Sequence, residues 1–212
     1  MSEKQSIAQK KKLREKEFRK LMILDSAETI LHREGLNGLS MSLVAKEAEV
    51  AKGTLYLYFK NKEEILSHLA LKARGMLLAE FHKRTQKHKN PLKKIEGIIW
   101  SNYYMYKEQK LYHDLMNVYD SNAQLEETEA LRQKGVEISS FIVAIIDQAK
   151  TLGLVKKTFD AHQFSFILWG MCAGMLNLID TKNEMLKGYL PQSMETLYGS
   201  FAQIVIDGIR KK

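Results

Sequence analysis

The sequence predicts an all-α chain of about nine helices in two modules. Three observations carry that reading. Apolar residues recur at steps of three and four along nearly the whole chain, and no apolar/polar alternation bounded by turns is present. Only two prolines and twelve glycines interrupt 212 residues, of which 45% are hydrophobic and 27% charged, a composition too apolar for disorder and long enough for a sizeable core. The charge is also divided: residues 1–90 hold 19 Lys and Arg against 11 Asp and Glu, whereas residues 91–212 hold 14 of each, so the whole formal net charge of +8 lies in the first 90 residues. A basic module for a polyanion is thus joined to a neutral module with another task.

The elements follow in order. Phe18, Leu21, Leu24, Ala27 and Leu31 mark a first helix, and Gly35 is its stop signal. A short helix fits Met41–Ala48 with Ser40 as N-cap, and another fits Lys52–Phe59. Lys62-Glu63-Glu64 opens a longer helix to about Lys83. The polar segment Arg84–Pro91 is the clearest break. Beyond it, apolar stripes predict helices over 92–107, 111–119, 131–152 (ended by Gly153), 161–179 and 194–209. The β-branched run Ile138–Ile146 reads as helix because the helical period continues on both sides.

Residues 40–59, SMSLVAKEAEVAKGTLYLYF, carry the strongest functional signal. The first short helix buries Val44, Ala45 and Ala48, where small alanines admit a crossing helix; Val50 points inward, and the second helix buries Leu55 and Phe59. Lys52, Gly53, Thr54, Tyr56 and Tyr58 are left outside. Two short helices around a tight turn form a helix-turn-helix, whose second helix enters the major groove. Lys52 and Lys62 supply phosphate neutralisation, the hydroxyls reach phosphates or base edges, and Gly53 lets backbone approach the duplex.

The strings ILDSAETILHREG, V-A-x-x-A-x-V and KGTLYLYFKNKEEIL, between Ile23 and Leu66, resemble the DNA-binding domain of the tetracycline-repressor (TetR) family. The resemblance is close over these residues only; the rest is similar in helix number and size. It implies a basic arm over 1–16, a DNA-binding domain over 17–77, and a helical ligand-binding and dimerisation domain over 78–212. It places Ser40, Ser42, Lys52, Gly53, Thr54, Tyr56, Tyr58 and Lys62 against DNA. It implies a homodimer acting on a palindromic operator and a ligand-released repressor; the single Cys172 and the lack of an apolar stretch after the basic N-terminus make a reducing cytoplasm the default compartment. Two positions depart from the family pattern. Glu49 stands at the usual turn glycine, at a cost of about 1 kcal/mol if its φ is positive, and Ala51 replaces the serine that opens the recognition helix, removing an N-cap.

The arm Lys10–Lys20 reads either as a solvated extension of the first helix or as a DNA contact. Membrane binding by it is disfavoured, since only Leu13 and Phe18 could insert. Between Asp160 and Asp180 lie 19 uncharged residues, read as a buried helix rather than a span because His162, Gln163, Ser165 and Asn177 interrupt it. Phe164, Leu168, Met171, Met175 and Leu178 form its bulky face. The flatter face carries Phe166, Gly170, Ala173 and Gly174. With Leu197, Phe201 and Val205 of the last helix, that face is the expected dimer interface.

Aromatic and methionine residues crowd the helices after Pro91. Trp100, Tyr103, Tyr104, Met116, Phe141, Trp169 and Met175, with Asn177 as polar anchor, read either as ordinary core or as the wall of a pocket for a lipophilic, largely uncharged effector. No charge on those stripes has to point inward, and burying an unpaired ligand charge is costly. Enzyme chemistry finds little support, because no catalytic residue set, metal-ligand spacing or phosphate loop appears, and no cofactor is implied. The alternative within DNA binding is a dimer answering to a protein partner, or an activator, with no small-molecule effector.

Overall fold

The computed structural model describes residues 7–122, 125, 127–189 and 193–211. Among them are nine helices: α1 (Ile7–Gly38), α2 (Met41–Glu47), α3 (Lys52–Tyr56), α4 (Lys62–Thr85), α5 (Pro91–Glu108), α6 (Lys110–Ser121), α7 (Glu129–Thr151), α8 (Ala161–Tyr189) and α9 (Met194–Ile209). The described residues hold no strand, only an isolated bridge between Val155 and Arg210. The chain divides into two compact units, residues 1–70 and 71–212. The division falls inside α4, seven residues before the expected 77/78. Of the arm expected over 1–16, residues 1–6 lie outside the described part. Residues 7–16 continue α1 as helix.

The helices begin where short polar side chains accept the orphan amides of the first turn. Ser40 Oγ accepts from Leu43 N–H at 3.3 Å, Asn90 from Leu92 at 2.9 Å, Thr128 from Leu131 at 3.3 Å, and Ser193 from Thr196 at 3.2 Å. At α4, Asn61 accepts from Glu64 N–H at 2.9 Å while Glu64 Oε2 accepts from Lys60 N–H at 2.7 Å.

In the first unit the core is Ile23, Ala27, Ile30, Leu31, Leu39, Val44, Ala45, Leu55, Phe59, Ile65 and Leu69, all buried. The stripe expected on α1 is corrected here. Phe18 and Leu21 are exposed, and burial starts at Ile23. The helical conformation breaks at Gly35 (φ 70°, ψ −176°), a region open essentially to glycine alone. In the second unit α5, α7, α8 and α9 pack around Ile95, Ile99, Ile146, Phe164, Leu168, Leu176 and Ala202. Tyr198 is fully buried and donates its hydroxyl to the Ile99 carbonyl at 3.1 Å, joining α9 to α5.

Of the bulky face expected on α8, Phe164 and Leu168 are buried, Met171 and Met175 are half-buried, and Leu178 is exposed. The helix is long and apolar enough to cross a membrane by length and composition, and only 33% of its apolar stretch is buried. Phe164, Leu168, Cys172, Leu176 and Ile179 form one buried stripe, and the opposite side is open.

Candidate nucleic-acid interface and effector cavity

The helix-turn-helix is held from within the first unit. Both terminal nitrogens of Arg33 donate to Glu47 Oε2, at 3.2 and 3.1 Å, pinning α1 to α2. Leu55 and Phe59 are completely buried and anchor α3 and the turn after it. α3 is shorter than the expected 52–59, because it ends at Tyr56 and the chain turns through Leu57 and Tyr58.

The connection between α2 and α3 shows how tightly the turn is built. Val50 N–H donates to the Ala45 carbonyl at 3.0 Å, and Glu49 N–H to the Lys46 carbonyl at 3.2 Å. That pair of bonds is a Schellman motif, which places the residue after the C-cap in the left-handed region. Glu49 occupies it with φ 52°, the one non-glycine positive φ among the described residues. The positive φ on which the sequence made strain at Glu49 depend is therefore present. Ala51 caps α3 without a side-chain hydrogen bond.

Of the residues assigned to DNA, Ser42, Lys52, Gly53 and Tyr56 are exposed, and Thr54 and Tyr58 are half-buried. Ser40 is exposed, with its hydroxyl engaged as the α2 cap. Lys62 is half-buried, and its ammonium donates to the Leu36 carbonyl at 3.1 Å. It therefore braces the end of α1, and a phosphate would share it with that carbonyl. Sequence reasoning missed Leu57, which is 77% exposed directly after α3. Its exposure breaks the apolar-inward pattern, and that break was the available signal.

The second unit contains a cavity of about 540 Å³. Leu77, Phe81, Ile98, Met116, Ile142 and Leu168 supply much of its apolar wall, from α4, α5, α6, α7 and α8. Of the eight expected wall residues only Met116 and Trp169 line it. Trp100, Tyr103 and Tyr104 instead belong to an aromatic cluster on α5 and α9: Tyr103 stacks on Tyr198 with centroids 5.0 Å apart, Trp100 lies 5.8 Å from Tyr198, and Arg84 caps Tyr104 at 3.7 Å. Phe141 packs on Phe81 and His82. Met175 is half-buried away from the cavity lining, and Asn177 is exposed. Their helical phases point them to other faces of the same helices.

The expectation of a wall without charge is also corrected. Arg74 reaches from α4 to the Leu131 carbonyl at 2.8 Å, Asp120 Oδ1 at 3.2 Å and Glu127 Oε1 at 2.5 Å. Trp169 Nε1 donates to the other Asp120 oxygen at 3.2 Å. Burial pushes the Asp120 carboxyl above its ordinary range, and Arg74 and Trp169 oppose that rise. Ser139 and Ser165 hydroxyls meet at 2.9 Å on the same lining. Cys172 also lines the cavity, and burial holds its thiol up at about 12, far from a reactive thiolate. On α6, Asp114 accepts from the Lys110 ammonium at 2.6 Å and its neighbour His113 is a packing residue. His113 is buried with its ring edge on Tyr106, and neither residue lines the cavity. No three potential metal ligands converge among the described residues.

The expected dimer residues separate on the structure. Phe166 is 62% exposed, and Gly170 and Gly174 are open, with space for a Cβ at each that no atom approaches within 4 Å. Ala173, Leu197 and Phe201 are half-buried. Val205 is corrected: it is 5% exposed within a single chain and belongs to its core, whereas its neighbour Ile204 is 72% exposed.

Residues 23–69 match the family model for bacterial regulatory proteins of the tetR family. An uncharacterized HTH-type transcriptional regulator of Haemophilus influenzae is 49% identical over 61 residues, a match covering 29% of this chain and 33% of that protein. The fatty acid metabolism regulator protein of Bacillus subtilis is 24% identical over 204 residues, covering 94% of this chain and all of that one. Among solved structures, AibR in complex with isovaleryl coenzyme A and operator DNA shares the fold, with a TM-score of 0.64 and 18% identity over 88% of this chain and 97% of that one. Residues 23–69 are thus a DNA-binding domain of the tetR type, and over most of its length the chain is similar to bacterial transcription regulators.

Proposed function

We propose that this regulator is a homodimeric repressor that binds a palindromic operator and releases it when a lipophilic effector enters the second unit. The observation that carries the reading is the apolar cavity against α4, since Arg74, Leu77 and Phe81 of its wall lie on the helix that continues into the helix-turn-helix unit. Occupation of the cavity presses on that helix. A hundredfold loss of operator affinity needs ~2.7 kcal/mol of coupling, within the ordinary range for allostery.

Lys52, Gly53, Thr54, Tyr56 and Tyr58 form the reading face, with Ser40 and Ser42 at the start of α2 and Lys62 behind. Leu57 joins them as an apolar contact suited to a thymine methyl. The exposed faces of α8 and α9, with Phe166, Gly170, Gly174 and Ile204, form the dimer contact, because small residues admit a partner helix closely and the apolar ones would otherwise face water. The wall favours an acyl or similar hydrocarbon group, with a polar end met by Arg74, Asp120 or the paired serines. The relatives that regulate fatty acid metabolism or bind isovaleryl coenzyme A support that class. The protein then works on DNA in the cytoplasm.

The test selects duplexes from a random library on the purified full-length protein and measures their affinity by filter binding. Fatty acids and acyl thioesters of graded length are then added. Expected are a palindromic consensus, a dimer in sedimentation, and release of DNA by at least one acyl compound. A monomer, a consensus without symmetry, or binding of an acyl compound that leaves operator affinity unchanged would refute the corresponding part.

A further inference from the structure

α1 begins at Ile7, whereas the family match begins at residue 23. Residues 7–22 are thus a helical extension of about 24 Å at the helical rise. It carries seven Lys and Arg against two Glu, a net of +5. Ile7 and residues 9–19 are exposed. A short helix of one dominant charge, standing in water, is marginal by itself, and a polyanion would relieve its self-repulsion.

At 100° per residue the cations fall into two rows on opposite sides of the helix. Lys10, Lys11 and Arg14 form one, and Lys12, Lys16, Arg19 and Lys20 the other. Opposed rows suit a helix with phosphates on both sides, as between the walls of a groove. They do not suit a flat anionic surface, which needs one wide apolar face; the exposed Ile7, Phe18, Leu21 and Met22 share their side with Lys10, Arg14 and Lys11, which interrupt it. The root of the extension is also beside the reading segment. Lys20 Nζ lies 5.4 Å from the ring centroid of Phe59, three residues beyond the end of α3.

We propose that residues 7–22 are a second DNA-contacting element, a helix lying in a groove of the duplex next to the bases read by α3. Lys10, Lys11 and Arg14 neutralise one wall, and Lys12, Lys16 and Arg19 the other. The element adds affinity without reading sequence. The inference rests on the DNA-binding reading of the first unit.

The experiment uses the full-length protein and three variants: K10Q/K11Q/R14Q, K12Q/K16Q/R19Q, and the sextuple combination. Filter binding over a sodium chloride series is run on the selected operator and on an unrelated duplex of equal length. Removing one cation from a phosphate lowers the slope of log affinity against log salt by about 0.9. Each triple variant removes three cations per protomer, six per dimer, and should therefore lower the slope by about 5 and the sextuple by more. Affinity for both duplexes should fall by the same factor, leaving their ratio unchanged. Helical content by circular dichroism and the urea midpoint check that the variants are folded. Unchanged slopes in folded variants, with wild type still binding operator in a salt-dependent way, overturn this inference and leave the α3 reading intact. A slope change in only one row overturns the groove geometry. Binding of wild type to phosphatidylserine vesicles, abolished in the sextuple variant while DNA binding is kept, assigns the helix to membrane instead. Wild type that binds no duplex even at low salt defeats the underlying reading itself.

Discussion

Glu49→Gly should stabilise the protein, and the structure contains its own control. Two helices end in the same Schellman motif. At the end of α2, Glu49 N–H and Val50 N–H return to Lys46 and Ala45 at 3.2 and 3.0 Å; at the end of α7, Gly153 N–H and Leu154 N–H return to Lys150 and Ala149 at 3.0 and 2.9 Å. The left-handed position is Glu49 with φ 52° in the first and Gly153 with φ 67° in the second. A non-glycine residue there costs about 1–2 kcal/mol. Glycine costs ~0.5–1 kcal/mol through the unfolded chain. The difference leaves Glu49→Gly stabilising by about 0.5–1 kcal/mol, and Gly153→Ala destabilising by the same amount. A Cβ at Gly153 meets nothing within 4 Å, so the cost there is backbone strain alone. Glu49→Gln separates charge from strain, keeping φ and removing the carboxylate from the turn that precedes α3. It should leave the urea midpoint in place and raise affinity for DNA. The measurement is urea unfolding at constant m-value, supported by melting temperature, where 1 kcal/mol moves a chain of this size by about 2–4 °C. An unchanged or lowered midpoint for Glu49→Gly, alongside the expected fall for Gly153→Ala, would refute the reasoning.

Three further outcomes follow from the geometry. Gly35→Ala forces a Cβ into a backbone region at φ 70°, ψ −176° and should cost about 1–3 kcal/mol in urea unfolding. Arg74→Met takes the cation away from the half-buried Asp120 carboxylate and leaves the Trp169 indole donating to it, which should cost about 1–3 kcal/mol; Asp120→Asn in the same chain should restore part of that, as a double-mutant cycle would show. His68, edge-on to Phe59 with centroids 5.6 Å apart, titrates below its ordinary value because burial, then the charge of Lys20, disfavours the imidazolium. The unfolded chain therefore takes up this proton first as pH falls. The contribution of neutral His68 is complete above the ordinary histidine value and disappears as pH drops below it toward the folded value. His68→Gln should flatten the pH dependence of stability in that window, as urea midpoints measured across it would show.

The fold was legible because its signals are local. Helical periods located every element, Gly35 marked the end of the straight part of α1, and Ser40 caps α2 as its position before Met41 implies. The turn at Glu49 was legible for the same reason, since a positive φ is set by bonds within one turn of helix. The limits of α1 burial and of α3 were less so. Phe18 and Leu21 keep the helical period with Leu24 and Ala27 but extend past the point where another element covers them. Period says which side a residue is on. It does not say whether anything lies opposite.

The cavity shows the same limit at greater cost. Trp100, Tyr103 and Tyr104 are aromatic and neighbouring, which suggested a ligand wall, yet they turn toward Tyr198 and Arg84. The cavity wall comes instead from residues without a distinctive pattern, among them Leu77, Ile98 and Ile142. Its charges come from Arg74 on α4 and from Asp120 and Glu127 at the far end of α6 and just beyond it, 46 and 53 residues away in sequence. An ion pair of that separation leaves no trace in any local pattern. On the proposed reading it bears directly on the effector. Arg74 already has acceptors from three segments, and a ligand carboxylate that reached it would meet Asp120 and Glu127 at the same guanidinium. Bringing a second carboxylate beside the half-buried Asp120 is opposed by like-charge repulsion. The same wall that breaks the expectation of an uncharged pocket therefore preserves its consequence. An effector whose buried part is neutral and apolar can fill the space beside Arg74 with the ion pair intact, and one that carries a carboxylate there must share the guanidinium with Asp120 and Glu127.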